Sequence, residues 1–230
     1  MTSNDQYKKL DNPAWHSLSE THHEFSINYD GIKLYHPDYC RFGGVNKPTG
    51  TTSSLDQYAE LVDNFFIVGD KPEISPKLSI NKELVCLQMV LEDRITVEGN
   101  EKMILLNHEH AGELFTLVNL VQPGYFKSKT VLLGDYFGIF KDGRLVAAAG
   151  ERMKMDKFVE VSAIVTHPEH TGKGYARQLI THTVNNIFSQ QKVPYLHVAE
   201  SNHHAINLYE KIGFQTRRRI SFWNVIKRGE

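Results

Sequence analysis

Two glycines flank a lysine at Gly172-Lys173-Gly174, between an apolar run and a stretch with helical spacing. Glycine in a loop serves a backbone with φ > 0 or the close approach of another group. The stretch is not a Walker A loop, because His167 stands where the first glycine belongs and no Ser or Thr follows the lysine. It is not a dinucleotide fingerprint either, because Arg177 occupies the third glycine position. A helix opening straight after a strand presents unpaired N–H groups and the positive end of its dipole. Small residues at Gly172, Gly174 and Ala176, with Lys173 and Arg177 adding charge, suit a phosphate-bearing ligand held by backbone. Two further side chains could move protons: Glu160 on the preceding apolar run and Tyr209 in "NHHAINLYEKIGF".

The elements that must position these groups are legible from periodicity. "KFVEVSAIVT" predicts a strand, with Glu160 sharing a face with Ser162 and Ile164 by alternation. A helix follows, with Ala176, Leu179, Ile180, Val184, Ile187 and Phe188 as its apolar stripe. "YLHVAE" is a strand, and Ala205, Leu208, Tyr209 and Ile212 mark a short helix that Gly213 terminates. "QTRRRISFWNVI" is a last strand. Upstream, "MILLN" is a strand, and "HAGELFTLVNLV" is a helix with Ala111, Leu114, Phe115, Val118 and Val121 on one face. Asp142-Gly143 joins two antiparallel strands. The order β-α-β-β-β-α-β-α-β implies an α/β chain whose mixed sheet carries packed helices.

Residues 1–100 are less regular. Asp30-Gly31 predicts a hairpin, "SSLDQYAELVDN" a helix with Ser54 and Gln57 as a capping box, and "FFIVG" and "LVCLQMVLE" strands. The polar segment around Gly99 divides them from residues 101–230.

The formal net charge of −1 argues against nucleic acid as the partner, and Arg217–Arg219 reads as a solvated strand end. No run has the length of a membrane span, and the first residues lack the apolar core of a secretory leader. With Cys40 and Cys86 as the two cysteines, the expectation is a cytoplasmic protein without a disulfide framework. The 12 histidines, including His22-His23, show no zinc-site spacing and read as surface or capping residues, so no metal is expected.

Residues 158–214 resemble the GNAT superfamily of acyl-CoA-dependent N-acetyltransferases. Its Arg/Gln-x-x-Gly-x-Gly/Ala signature is matched at Gly174 and Ala176, while Thr171 replaces the long donor. Asn202 to Phe214 matches a second element, N-x-x-A-x-x-L-Y-x-x-x-G-F. The resemblance extends over residues 103–225 by element order. "NPAWHSLSETHHEF" is similar to the N-terminal extension of some uncharacterised bacterial members, and the glycine-acyltransferase-like branch is also similar.

That resemblance implies a mostly antiparallel GNAT sheet flanked by helices, and acetyl-CoA as co-substrate. It implies contacts from Ile164, Val165 and Thr166 to the pantetheine arm. Thr171, Gly172, Lys173, Gly174, Tyr175, Ala176 and Arg177 would face the phosphates, and Asn202 would complete the set. Tyr209 would protonate the leaving thiolate, and Glu160, eleven residues before Thr171, would take the amine proton. Its neighbours Val159 and Val161 are expected to raise its pKa. The acceptor is expected to be a small-molecule or peptide amine, with residues 1–100 on its side of the cleft. An inactive acyl-CoA-binding module and an enzyme using longer acyl chains stand as alternatives. Acceptor identity and oligomeric state are left open.

Overall fold

The computed structural model describes residues 6–47, 50–96 and 99–229. Among the described residues eleven strands form one sheet: β1 (Ser26–Tyr29), β2 (Ile32–Tyr35), β3 (Phe42–Val45), β4 (Asn64–Val68), β5 (Leu78–Val90), β6 (Ile104–Leu105), β7 (Tyr136–Lys141), β8 (Arg144–Lys154), β9 (Phe158–Thr166), β10 (Val193–Ala199) and β11 (Gln215–Lys227). Their spatial order is β1-β2-β3-β4-β11-β5-β10-β9-β8-β7-β6. The sheet is mixed and mostly antiparallel, with β3–β4 and β9–β10 as the parallel neighbours. The helices are α1 (Pro13–Ser19), α2 (Thr52–Ala59), α3 (Ala111–Val121), α4 (Tyr175–Ser189) and α5 (His203–Ile212).

Strand alternation sends neighbouring side chains to opposite faces, and the core divides accordingly. On one face, Leu10 from the 3-10 turn at Lys8–Asp11 and Ala14 and Leu18 from α1 pack against Cys86, Phe158, Tyr195 and Phe222, and α3 adds Leu114, Leu117 and Val118. On the other, α2 covers Ile32, Phe65 and Val225, while α4 and α5 cover Val159, Val161, Leu196 and Val198. Both expected hairpins form: Gly31 turns β1 into β2, and Asp142-Gly143, at φ 50° and 75°, turns β7 into β8. Two positive φ values in succession are what a two-residue hairpin with the sheet's own twist requires.

Several local expectations are corrected. Residue 100 does not separate two sheets. β5 lies between β10 and β11 and pairs antiparallel with both, so strands from the two halves interleave. The α3 stripe is Leu114, Leu117 and Val118, with Phe115 and Val121 exposed. Thr51, not Ser54, precedes α2, and Ser54 is buried within that helix. His22 is not a surface residue. It is buried, with Nδ1 at 2.8 Å from the Tyr35 hydroxyl and Nε2 at 2.9 Å from the Leu133 carbonyl. Burial pushes its pKa down to about 3, so the ring is neutral. Arg217 and Arg218 are not merely solvated: both bind Asp11, and Arg217 also donates to Gln88.

Candidate active site

The parallel neighbours β9 and β10 stay together for three pairs only, the last being Tyr195 with Glu160. Beyond it β9 pairs with β8 alone, and β10 pairs with β5 alone. The edges that face each other across this splay therefore carry unpaired backbone groups, which need partners. A cavity of about 220 Å³ fills the gap. Val161 to Ile164 and Leu196 to Ala199 line its two sides. Tyr209 and Asn202 stand on the α5 side, while Phe42, Phe66, Tyr125, Arg152, His197 and Phe222 belong to the opposite one.

A bulge shapes the β9 wall. Ala148 pairs with Val165 but Gly150 with Ser162, so β9 carries one extra residue there. Ala163 absorbs it at φ 50°, a left-handed conformation that costs an L-residue on the order of 1–2 kcal/mol. Side-chain direction inverts at this point. Val159 and Val161 pack towards α4, Ala163 and Val165 towards α3, and Ile164 again towards α4. The expected face shared by Glu160 and Ile164 does not exist, because simple alternation cannot anticipate an inserted residue.

Glu160 is fully buried and holds four donors. Arg152 Nε and one terminal nitrogen bind its two oxygens at 2.7 Å each. His197 Nδ1 binds Oε1 at 2.7 Å, and the Met153 N–H reaches Oε2 at 3.4 Å. A carboxylate has about four lone-pair directions, so none remains for an incoming proton. Burial pushes the pKa of Glu160 up, but the Arg152 charge and the hydrogen bonds from Arg152 and His197 outweigh it and hold the group at about 2. The expected upward shift is therefore reversed.

Gln88 fixes the state of His197. Its Oε1 accepts from Arg217 at 2.8 Å and its Nε2 donates to the Leu10 carbonyl at 2.7 Å, which sets the amide orientation. The same Nε2 lies 3.1 Å from His197 Nε2, which must then accept. His197 therefore accepts at Nε2 and donates from Nδ1 to Glu160. Arg152, His197 and Gln88 were not singled out from sequence. Their only signal is their residue type, because three strands bring them together.

Tyr209 lines the cavity from α5, 8% exposed, and its hydroxyl has no hydrogen-bond partner among the described residues. Burial pushes its pKa up to about 12, so it stays a protonated donor at neutral pH. Asn202 caps α5, accepting from the Ala205 N–H at 3.2 Å, and also lines the cavity. Ile164 and Thr166 are half-buried and Val165 is buried.

At the far end of β9 the glycine loop leads into α4. Gly172 and Gly174 take φ 77° and 75°, and a Cβ on Gly172 would meet nothing within 4 Å. Both readings of the glycines thus hold at once: the backbone is left-handed and the space above it is open. No side chain caps the first turn of α4, so its N–H groups point outward unpaired. Thr171, Lys173 and Arg177 are exposed, and the Thr171 hydroxyl donates to the Pro168 carbonyl at 3.1 Å. Ala176 is half-buried at the start of α4. Tyr175 is buried beneath the loop, with Lys141 Nζ 5.7 Å from its ring centroid.

Among the described residues no group of His, Cys, Asp and Glu is disposed to hold a metal, and no helix is long and apolar enough to cross a membrane.

Comparison with known proteins agrees with this architecture. Residues 136–223 match the family of FR47-like proteins. A GNAT-family protein of Novosphingobium aromaticivorans DSM 12444 is 28% identical and superposes with a TM-score of 0.88, covering 96% of this chain and 99% of that one. A GCN5-related N-acetyltransferase from Kribbella flavida shares the fold at 12% identity, with a TM-score of 0.62 over 89% of this chain and 90% of its own. The spermidine N(1)-acetyltransferase of Vibrio cholerae serotype O1 is 46% identical over 54 residues. That segment is 22% of this chain and spans about a third, 31%, of that enzyme. The glycine loop opening α4, the splay of β9 from β10, and these matches lead to one assignment: the chain belongs to the GNAT superfamily.

Proposed function

We propose that the protein is an N-acetyltransferase that moves an acetyl group from acetyl-CoA to a primary amine by direct attack while both substrates are bound. The observation that carries this is the continuity of one surface. The open edge of β9 runs from the splay at Val161 to Thr166 and ends beside the uncapped start of α4. An extended pantetheine arm adds to such an edge as a strand would, with Ile164, Val165 and Thr166 supplying backbone partners. The pyrophosphate suits the N–H groups from Gly172 to Ala176, with Lys173 and Arg177 adding charge at the rim. Thr171 is too short to reach far and its hydroxyl is engaged locally, so backbone dominates. Tyr175 contributes its N–H while its ring supports the loop, and Asn202 holds α5 beside the cleft.

The thioester supplies an activated acyl group. Unpaired β9 backbone beside the bulge is placed to polarise its oxygen. Tyr209 Oη, neutral and unengaged, gives its proton to the departing thiolate. Glu160 serves as a positioning residue. Its carboxylate is saturated and strongly acidic, so the acceptor's ammonium proton leaves to water, and Glu160 keeps Arg152 and His197 fixed in the wall. Residues 1–100 contribute Phe42, Phe66, Leu84 and Cys86 to the cavity, in keeping with a place on the acceptor side.

Incubation with acetyl-CoA and a panel of primary amines, following free thiol and acylated product, tests the reading. Amine-dependent thiol release is expected. Tight acetyl-CoA binding without turnover of any amine would leave an acyl-CoA-binding module instead.

A further inference from the structure

Beyond the wall of the reaction cavity opposite α5 lies a second cavity of about 320 Å³. Phe42, Phe66 and Tyr125 line both, so the two spaces are neighbours across these three rings. Their chemistry differs. The second cavity is lined by Arg41, Lys82 and Lys127, with Asn64, Asn81 and Asn224 between them, and among the described residues no Asp or Glu lines either cavity.

The three cations are not consumed by the fold. None takes part in an ion pair among the described residues, whereas Lys129, two residues beyond Lys127, pairs with Asp38. Arg41 Nε is buried without a hydrogen-bond partner. Orphaned donors of this kind are rare and ask for an acceptor. Lys127 Nζ donates to the Gly124 carbonyl at 2.6 Å, leaving further donors. Burial and then the neighbouring Arg41 charge push the Lys127 pKa down, which places the two cations within electrostatic reach of each other. The asparagines are mutually satisfied: Asn81 donates to Asn224, and Asn224 donates to Asn64. They hold the rim without neutralising it.

We infer that the acceptor is a primary amine that also carries an anionic group, a carboxylate or a phosphate. The anion sits among Arg41, Lys82 and Lys127, an apolar or aromatic body passes between Phe42, Phe66 and Tyr125, and the amine reaches the splay of β9 and β10. The inference rests on the acyltransferase reading for the amine's destination, but the charge selection stands on the cation-lined cavity alone. A polyamine fits poorly, because it would bring several positive charges to a surface with no carboxylate free to receive them.

The test uses the full chain saturated with CoA. Phenylalanine, phenylalaninamide, phosphoethanolamine and spermidine are titrated calorimetrically, and turnover of each with acetyl-CoA is followed separately. At least one anionic probe is expected to bind roughly 10-fold or more tightly than phenylalaninamide and spermidine, the scale of one charge-assisted contact. Lys82 is exposed, so Lys82→Glu is expected to fold normally, to erase that preference and to leave CoA affinity unchanged. Arg41→Gln is expected to act in the same direction. Parity between phenylalanine and its amide with no binding of phosphoethanolamine, preference for spermidine, or an undiminished anion preference in Lys82→Glu would each overturn the inference. Selective anion binding without turnover would leave the charge selection standing and count against the acyltransferase reading instead.

Discussion

Glu160, in the last pair that joins β9 to β10, meets His197, two residues beyond its strand partner Tyr195, at 2.7 Å. The contact bridges the two strands where the backbone ceases to do so. It also closes a chain of polar contacts from Arg152 through Glu160, His197 and Gln88 to Arg217 and Asp11. The splay is thus pinned at its root by side chains and free beyond it.

Removing the carboxylate should damage the wall more than the chemistry. Glu160→Gln leaves the buried Arg152 guanidinium uncompensated, a loss expected to cost about 3–5 kcal/mol. Denaturant unfolding should show that drop. A general base would give an activity deficit that shrinks as pH rises and the amine deprotonates unaided. A positioning role gives a deficit that stays flat with pH, and a pH-rate profile separates the two.

Tyr209→Phe removes one hydroxyl that makes no hydrogen bond to another protein group among the described residues. Stability should change little. Loss of a general acid should lower kcat by roughly 10²-fold while acetyl-CoA affinity holds. A wild-type rate would make Tyr209 a packing residue against Phe214, whose ring centroid lies 6.0 Å away.

Gly174→Trp should abolish CoA binding in a folded protein. The residue sits at φ 75°, where an L side chain is strained by about 1–2 kcal/mol, and a Cβ there would meet only the end of Gln178 at 4.0 Å, so the added ring projects over the N–H groups of α4. Calorimetry with circular dichroism as control measures this. Retained affinity would remove the phosphate role of the loop.

Acid should destabilise the protein in two windows. His22 has an unfolded pKa near 6.5 and a folded one of about 3, so between these values the unfolded chain binds more protons. Its contribution is complete above 6.5 and is lost as pH falls towards 3. Glu160 contributes fully above 4.5 and loses that as pH falls through about 2. His22 is worth on the order of 5 kcal/mol and Glu160 on the order of 3 kcal/mol. Unfolding midpoints should therefore decline gently below pH 6.5 and more steeply below 4.5. His22→Asn should remove most of the first slope, with the remainder from His16 and His182, which burial also pushes down.

A chain beginning at Lys102 should fail to fold. It lacks β5, and β10 and β11 then lose the partner that lies between them. Far-ultraviolet circular dichroism of the shortened chain is the measurement. A cooperative native-like transition would contradict the interleaved sheet.

Local chemistry was readable in the sequence because it depends on near neighbours. The Asp142-Gly143 hairpin, the end of α5 at Gly213 and the strand–glycine–helix unit at Val165–Ile180 follow from turn geometry and 3.6- or 2-residue periods. The role of Glu160 was not readable, for two physical reasons. An extra residue at Ala163 inverts the alternation beyond it, and nothing in its own side chain announces a bulge. The Arg152 charge on β8 and the hydrogen bonds from Arg152 and from His197 on β10 set its pKa, and these groups are joined only when the strands pair. The same holds for residue 100, which looks like a boundary because the chain is polar there, while β5 crosses into the sheet of the other half. Periodicity fixes what an element is. Which elements become neighbours, and so which charges share a dry wall, is decided by long-range strand pairing.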